Sequence, residues 1–304
     1  MKTIASLDIG SNSILMLVAK ATKDKKIIPL FEASRAPRLA LNLKKTGKIS
    51  DQSLKRAVRD IDLFKKEASK LGAAEIFAVG TAALRVAGNR NEVLNTIYEE
   101  TGVRVEVISE AKEAELTYRG AITGFCKLKE KRIFFDIGGA SLEVVLATGK
   151  RIQESVSLKI GAVEITERYH TDGRKSISSL EKIDSEIQAF LGSHLKDFDP
   201  VDSDLIGSGG TISTYKLLDS RPEGFRRRLI HTKSLKLSRL DELIKHLAVM
   251  KLSERKRVII FEPDRATVIV AGGLILRGLL RYLSKNSVRV SVRSLRWGFL
   301  LSKL

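Results

Sequence analysis

Two acids, each at the end of a short apolar run and followed after one isoleucine by small residues, carry the chemistry this chain can do: Asp8-Ile9-Gly10-Ser11-Asn12-Ser13 and Asp136-Ile137-Gly138-Gly139-Ala140-Ser141. Both are versions of one phrase, returning through Leu15-Met16-Leu17-Val18-Ala19 and through Val144-Val145-Leu146-Ala147. Glycine tolerates the φ values that turn successive amides inward, and serine adds hydroxyls, so such a turn can close around a phosphate. An acid at the strand end stands where a divalent cation bridging phosphates would lie. A third loop, Gly207-Ser208-Gly209-Gly210-Thr211, follows the apolar step Leu205-Ile206 and opens a helical run from Ile212 to Leu218, which adds the positive end of a helix. One Asp-x-Gly reads equally well as a hairpin turn. The repeat and the third loop together point to phosphate chemistry.

An alternation of strand and helix must position these loops. Strands are predicted near residues 3–8, 14–20 and 26–32, then a helix over 51–71 with Leu54, Val58, Ile61 and Phe64 on one face. A strand at 75–79, a helix at 91–101, a strand at 103–108 and a helix over 111–124 complete the first half. The second half restarts at Arg132 with the same hairpin and continues with a helix over 178–195, a strand at 204–206, the helix after Thr211, and helices near 238–251 and 267–284. A chain of 304 residues, 43% hydrophobic, can bury two ordinary cores. The repeat makes them related domains, 1–124 and 125–304, joined near 121–131, with a strand and short helix at about 288–304 expected to pack back on the first.

Lys and Arg number 54 against 36 Asp and Glu, a net charge of +18, with a pI near 9.9. Basic runs stand at Lys23/Lys25/Lys26, Lys127/Lys129/Lys131/Arg132, Arg226/Arg227/Arg228 and Arg255/Lys256/Arg257. Each alone reads as a solvated surface; together they attract polyanions. Only 6% of residues are aromatic and no helix-turn-helix or base-stacking pattern stands out, which argues against nucleic acid. A phosphate polymer would use the same charge without stacking. The longest apolar stretch, Val268 to Leu276, is too short to span a bilayer and holds two glycines, and no apolar leader opens the sequence, so a cytoplasmic location off the membrane is expected. The lone Cys126 excludes an internal disulfide and a thiolate zinc cluster, and is expected to be buried or half-buried. Histidines 170, 194, 231 and 246 show no metal spacing.

The order and spacing of six segments carry a family resemblance. They are Asp8 to Ser13, Gly80-Thr81-Ala82-Ala83-Leu84-Arg85, Val107-Ile108-Ser109 followed by Glu113-Ala114, Asp136 to Glu143, Ile160-Gly161-Ala162-Val163, and Gly209-Gly210-Thr211-Ile212. In them the chain resembles the exopolyphosphatase/guanosine pentaphosphate phosphohydrolase (Ppx/GppA) family, in a short form without the C-terminal His-Asp-type helical extension. The resemblance implies an α/β fold of two related sugar-kinase/Hsp70/actin-like (ribonuclease H-like) domains with an interdomain cleft. It implies Glu113 as the carboxylate that takes a proton from the attacking water, Arg85 as a cleft arginine able to hold phosphate bidentately, and Asp136 and Glu143 as the acids associated with Mg2+. Ser11, Asn12, Ser13, Gly138, Gly139, Ser141, Gly209, Gly210 and Thr211 would bind phosphates, and a homodimer is a family expectation. Without the resemblance, Glu110, Glu113 and Glu115 are equally plain helix acids.

The implied activity is Mg2+-dependent release of terminal phosphate from inorganic polyphosphate, guanosine pentaphosphate or both. Such a reaction needs water placed in line and charge neutralised on the phosphoryl oxygens. The chain departs from the family pattern at Ala140 and Leu142, where glycine and threonine are usual. It departs again at Glu110 and Lys112, at Arg265-Ala266-Thr267 for Arg-Ala-Asp, and at Arg296-Trp297-Gly298 for Arg-Glu-Gly. A lost threonine hydroxyl at 142 would weaken the second loop if it touched phosphate or metal. The altered loop supports an alternative, a non-catalytic regulator binding polyphosphate or guanosine tetra/pentaphosphate. A kinase of the same superfamily ranks third, for want of a sugar-binding signature.

Overall fold

The computed structural model describes residues 1–304 except 23, 25, 197, 199 and 222 and the side chain of 223, so Lys23 and Lys25 of the first basic run lie outside the described residues. Two compact units form, Met1–Gly120 with Ser294–Leu304, and Ala121–Arg293.

The first unit runs β1 (Lys2–Ile9), β2 (Ile14–Ala21), β3 (Ile27–Arg35), α1 (Leu43–Thr46), α2 (Asp51–Lys70), β4 (Glu75–Gly80), α3 (Ala82–Val86), α4 (Arg90–Thr101), β5 (Val105–Val107) and α5 (Glu110–Ala121). Its sheet has the order β3-β2-β1-β4-β5. β1 is buried on both faces. Ala5, Leu7 and Ile9 pack with Val58, Ile61 and Phe64 of α2, while Ile4 packs on the other side with Leu17 and Ala19. α2 starts where the Ser50 side chain accepts from the Ser53 amide, and its apolar residues recur at helical spacing.

The second unit runs β6 (Lys131–Ile137), β7 (Leu142–Thr148), β8 (Arg151–Leu158), α6 (Ala162–Tyr169), α7 (Ile177–His194), β9 (Asp204–Ser208), α8 (Gly210–Ser220), β10 (Ser234–Lys236), α9 (Leu237–Ala248), α10 (Leu252–Val258), α11 (Ile269–Tyr282) and β11 (Ser287–Val290); α12 (Leu295–Ser302) then belongs to the first unit. The sheet order is β10-β11-β9-β6-β7-β8. Leaving out β10 and reading from β8, it reproduces the first sheet strand for strand. Even the irregularity repeats, since the register shifts at Val18/Ala19 on β2 and at Leu146/Ala147 on β7. The repeated phrase is thus a repeated topology.

The apolar stretch at 268–276 forms the start of α11, buried along its length. It lies so close to α8 that a Cβ on Gly273 would sit 2.1 Å from the Tyr215 hydroxyl oxygen. Two arginines are also interior. Arg277, 2% exposed, pairs with Asp184 at 2.8 Å and Asp241 at 2.7 Å. Arg255 is fully buried and donates to the carbonyls of Leu247, Thr171 and Gly173. The last basic run is therefore not wholly a solvated surface, because its first arginine ties helix ends together. Cys126 is exposed, against expectation, because it lies in the connection between α5 and β6, away from the core.

Several short elements escape the periodicity reading. β8 is an edge strand whose only apolar residues before Leu158 are Ile152 and Val156, so it shows little alternation. α3 and α6 are five and eight residues long, too short for a helical period to show.

The Arg296-Trp297-Gly298 departure has a packing reason. Trp297, 2% exposed, fills the face of the first sheet formed by Ile4, Leu17 and Ala19. Gly298 lets α12 cross α5: a Cβ there would stand 1.8 Å from the Leu116 carbonyl oxygen, and one on Gly120 would stand 2.2 Å from that of Ser294. Backbone cannot yield as a side-chain tip can. Gly298→Ala is therefore expected to cost about 3 kcal/mol or more, read as a lower melting temperature. An unchanged melt would mean that the two helices separate freely.

Candidate active site

The first loop leaves the sheet where parallel strands end. Ile9, Gly80 and Val107 are register neighbours across β1, β4 and β5, so the loop after β1, the helix α3 after β4 and the helix α5 after β5 all depart from one edge. In α/β sheets that carboxyl edge is where ligands bind. Within the loop the Gly10 amide donates to the Ser13 carbonyl at 2.9 Å. From behind, the carbonyls of Ser11 and Asn12 accept from the amides of Ala40 at 2.8 Å and Arg38 at 3.0 Å.

α3 carries Arg85 and α5 carries Glu113. Arg85 donates to Glu113 Oε2 at 3.0 Å and to the Ile108 carbonyl at 2.9 Å. The guanidinium also lies 3.6 Å from Glu110 Oε1. Exposure sets only Glu110 apart from the three acids that sequence alone left equal, and the partners of the other two separate them. Glu110 is 82% exposed and Glu113 32%, whereas Glu115 is engaged by Lys112 and Arg119. Glu113 is held at hydrogen-bond distance by an arginine of another helix, α3, whereas Glu115, 29% exposed, is held by residues of its own helix α5.

In the second unit the loop repeats the same closure, Gly138 amide to Ser141 carbonyl at 2.8 Å. Its back is covered by the start of α6, where the amides of Ala162 and Val163 donate to the carbonyls of Gly138 and Gly139. Gly161 makes that contact possible, since a Cβ on it would fall 2.2 Å from the Gly139 carbonyl oxygen. This gives the Ile160-Gly161-Ala162-Val163 segment a physical task that sequence reading had not supplied.

Asp136 stands directly opposite Glu143 on β7 and beside Ser208 on β9, and Glu143 stands opposite Ser157 on β8. Register neighbours share a face, so Ser157, Glu143, Asp136 and Ser208 form one polar row across four strands. Ser208 donates to Asp136, and Ser141 and Ser157 both donate to Glu143. Ser157 was not expected in the site, and Ser208, part of the third loop, was not expected beside an acid, because cross-strand neighbours are set by register rather than by local pattern. Leu142 turns to the opposite face and is buried in the core, so no hydroxyl is missing from this row. In the first unit Asp8 faces Leu15 and Val79 instead, and the acid pair occurs in the second copy of the motif.

The third loop continues the row. Gly209 has φ 94° and ψ 178°, and a Cβ on it would lie 2.6 Å from Asp136 Oδ1, so both conformation and space demand glycine. α8 then begins at Gly210 with no side-chain cap on its first amides, and Thr211 is in its first turn. The Arg265 guanidinium lies against Gly210, where a Cβ would come within 1.7 Å of it, and it is also paired with Glu262. The expected residues thus fall into two sets: Ser11, Asn12, Ser13, Arg85 and Glu113 in the first unit, and Asp136, Gly138, Gly139, Ser141, Glu143, Gly209, Gly210 and Thr211 in the second.

The donors suit a hard cation. Two carboxylates and three serine hydroxyls offer only oxygen, and no group of three or more His, Cys, Asp or Glu residues gathers among the described residues. A pair of carboxylates is what Mg2+ uses when it keeps waters and takes substrate oxygens for the rest of its shell.

Residues 17–304 match the sequence model of the Ppx/GppA phosphatase family. The chain is similar to exopolyphosphatase 1 of Mycobacterium leprae, 30% identical over 302 residues that make up 98% of this chain and 88% of that protein. It is 27% identical over 297 residues to a bifunctional 3-dehydroquinate synthase/phosphatase of Fusobacterium nucleatum; these cover 94% of this chain but only 44% of that longer protein. The crystal structure of the type II variant of the Aquifex aeolicus Ppx/GppA phosphatase matches over 100% of both chains, with TM-score 0.86 and 28% identity. An exopolyphosphatase from Cytophaga hutchinsonii, 23% identical, shares the fold with TM-score 0.84 over 100% of this chain and 99% of that one.

Proposed function

Because the chain belongs to the Ppx/GppA phosphatase family, we propose that it hydrolyses phosphoanhydrides, releasing the terminal phosphate of inorganic polyphosphate with Glu113 as general base. The observation that carries the reading is the row in which Asp136 and Glu143 face each other beneath two Gly/Ser loops. Water oxygen adds to the terminal phosphorus, its proton passes to the Glu113 carboxylate, and the P–O bond to the rest of the chain breaks. Arg85 orients Glu113 through its 3.0 Å contact. The amides and hydroxyls of Ser11, Asn12, Ser13, Gly138, Gly139, Ser141, Gly209, Gly210 and Thr211 hold phosphate oxygens. Asp136 and Glu143 would hold Mg2+, which supplies positive charge for those oxygens when bound.

Similarity to the M. leprae exopolyphosphatase favours polyphosphate as substrate; guanosine pentaphosphate is the second substrate the same groups would accept. The non-catalytic reading leaned on the altered second loop, and Leu142 of that loop is a core residue. A homodimer and a cytoplasmic location belong to the same proposal; among the described residues no helix is long and apolar enough to cross a membrane.

Phosphate release from both substrates, with Mg2+ and with chelator, tests the reading; no release from either would end it. Salt separates the two substrates. A polymer that neutralises many lysines and arginines releases counterions from each phosphate, so the apparent affinity for long polyphosphate should fall more steeply with salt than that for guanosine pentaphosphate. Arg226, Arg227 and Arg228 changed together to Ala should flatten the difference. Equal slopes would leave the net charge of +18 without a part in substrate choice.

A further inference from the structure

Pro37 and Leu39 are buried, and Arg38 between them is exposed. Its backbone is left-handed, with φ 58°, a region that residues with a Cβ enter at a cost and that this unit elsewhere gives to Asn42, Gly47, Gly72 and Gly102. The position is fixed from every side. The Arg38 amide donates to the Asn12 carbonyl at 3.0 Å, the Leu41 amide donates to the Arg38 carbonyl at 3.0 Å, and the Ala40 amide donates to the Ser11 carbonyl at 2.8 Å. Ser53 Oγ reaches the same Arg38 carbonyl at 3.0 Å. The first Gly/Ser loop and Arg38 are therefore one hydrogen-bonded piece.

The side chain is handled differently from those of its neighbours. Arg35 and Arg59 lie beside Asp60, Arg56 donates to the Pro37 carbonyl and Ser53 Oγ, and Arg85 is held by Glu113. Among the described residues the Arg38 guanidinium has no ion pair, hydrogen bond or ring contact. A strained position, locked to a loop shaped for phosphate, thus carries a long cation with no internal partner where glycine would fit with less strain.

We propose that Arg38 is a further substrate-binding residue, gripping through its planar fork a phosphate of the condensed-phosphate chain that lies beside the first loop. The inference rests on the hydrolase reading above. It gives the first unit a phosphate-binding cation separate from Arg85, which is committed to Glu113. The contact is made equally to a phosphate that is being released and to one that is not, so it acts on binding rather than on the chemical step.

The test compares Arg38→Ala, Arg38→Lys and Arg38→Gly, with long-chain polyphosphate as probe, in steady-state hydrolysis and in thermal melts. Arg38→Ala is expected to raise KM about 10-fold with kcat within about twofold of wild type, the size of one lost charge-assisted contact. Arg38→Lys should recover part of the loss, since it keeps the charge without the fork. Arg38→Gly should bind as poorly as Arg38→Ala while melting no lower than wild type, because it accepts the left-handed backbone. Those three results together support the proposal. An Arg38→Ala enzyme with wild-type KM, or an Arg38→Gly enzyme that keeps wild-type KM, overturns it and leaves the hydrolase reading standing. A wild-type protein that neither binds nor cleaves polyphosphate overturns both.

Discussion

Glu113→Gln is expected to lower turnover at least about 10²-fold while leaving polyphosphate binding and the melting temperature close to those of the wild type. The amide keeps the size of the carboxylate and can still accept from Arg85, so the 3.0 Å contact survives. Arg85 also donates to the Ile108 carbonyl, which holds it in place when the charge of its partner is gone. Only the ability to take a proton is removed. Two controls use the neighbouring acids. Glu110→Gln alters a side chain that is 82% exposed, and Glu115→Gln one whose partners Lys112 and Arg119 lie on its own helix; each should stay within about threefold of the wild-type rate, since Arg85 makes its hydrogen bond to Glu113 and not to these two acids. Full turnover in Glu113→Gln, or an equal loss in all three, would remove Glu113 from the mechanism.

The separation of these acids shows what a sequence can and cannot disclose. The repeat of Asp8 to Ser13 in Asp136 to Ser141 was visible because a strand, a glycine turn and a returning strand are local features. It proved to be a repeat of sheet order and of β-bulge position as well. The long helices were visible because a buried stripe recurs every three or four residues. Ser157 and Ser208, by contrast, meet the acids only through the pairing of four strands, and no local pattern encodes that register. Gly161 and Gly298 were legible as glycines but not as close approaches, which need the partner backbone to be in place. Leu142 was read as a lost hydroxyl because its neighbours are site residues. Strand alternation turns it the other way, into the core.

Asp136→Asn is expected to raise the Mg2+ needed for half-maximal activity at least about 10-fold, since it removes one of two anionic oxygen donors from a cation that prefers charged oxygen. The substitution has a second signature that needs no turnover. Asp136 and Glu143 are directly opposed across an antiparallel pair, a placement in which like charges destabilise a sheet. The serine hydroxyls from Ser141, Ser157 and Ser208 offset part of that repulsion, and a bound cation would offset more. In chelator, therefore, Asp136→Asn should melt at or slightly above the wild type. On adding Mg2+, the wild type should gain melting temperature, because a ligand bound only by the folded state stabilises it, and the variant should gain little. Glu143→Gln should behave in the same way. A wild type whose melting temperature ignores Mg2+ and whose turnover survives chelator would show that the opposed carboxylates hold no metal. Their closeness would then have to be explained by the serine hydroxyls alone.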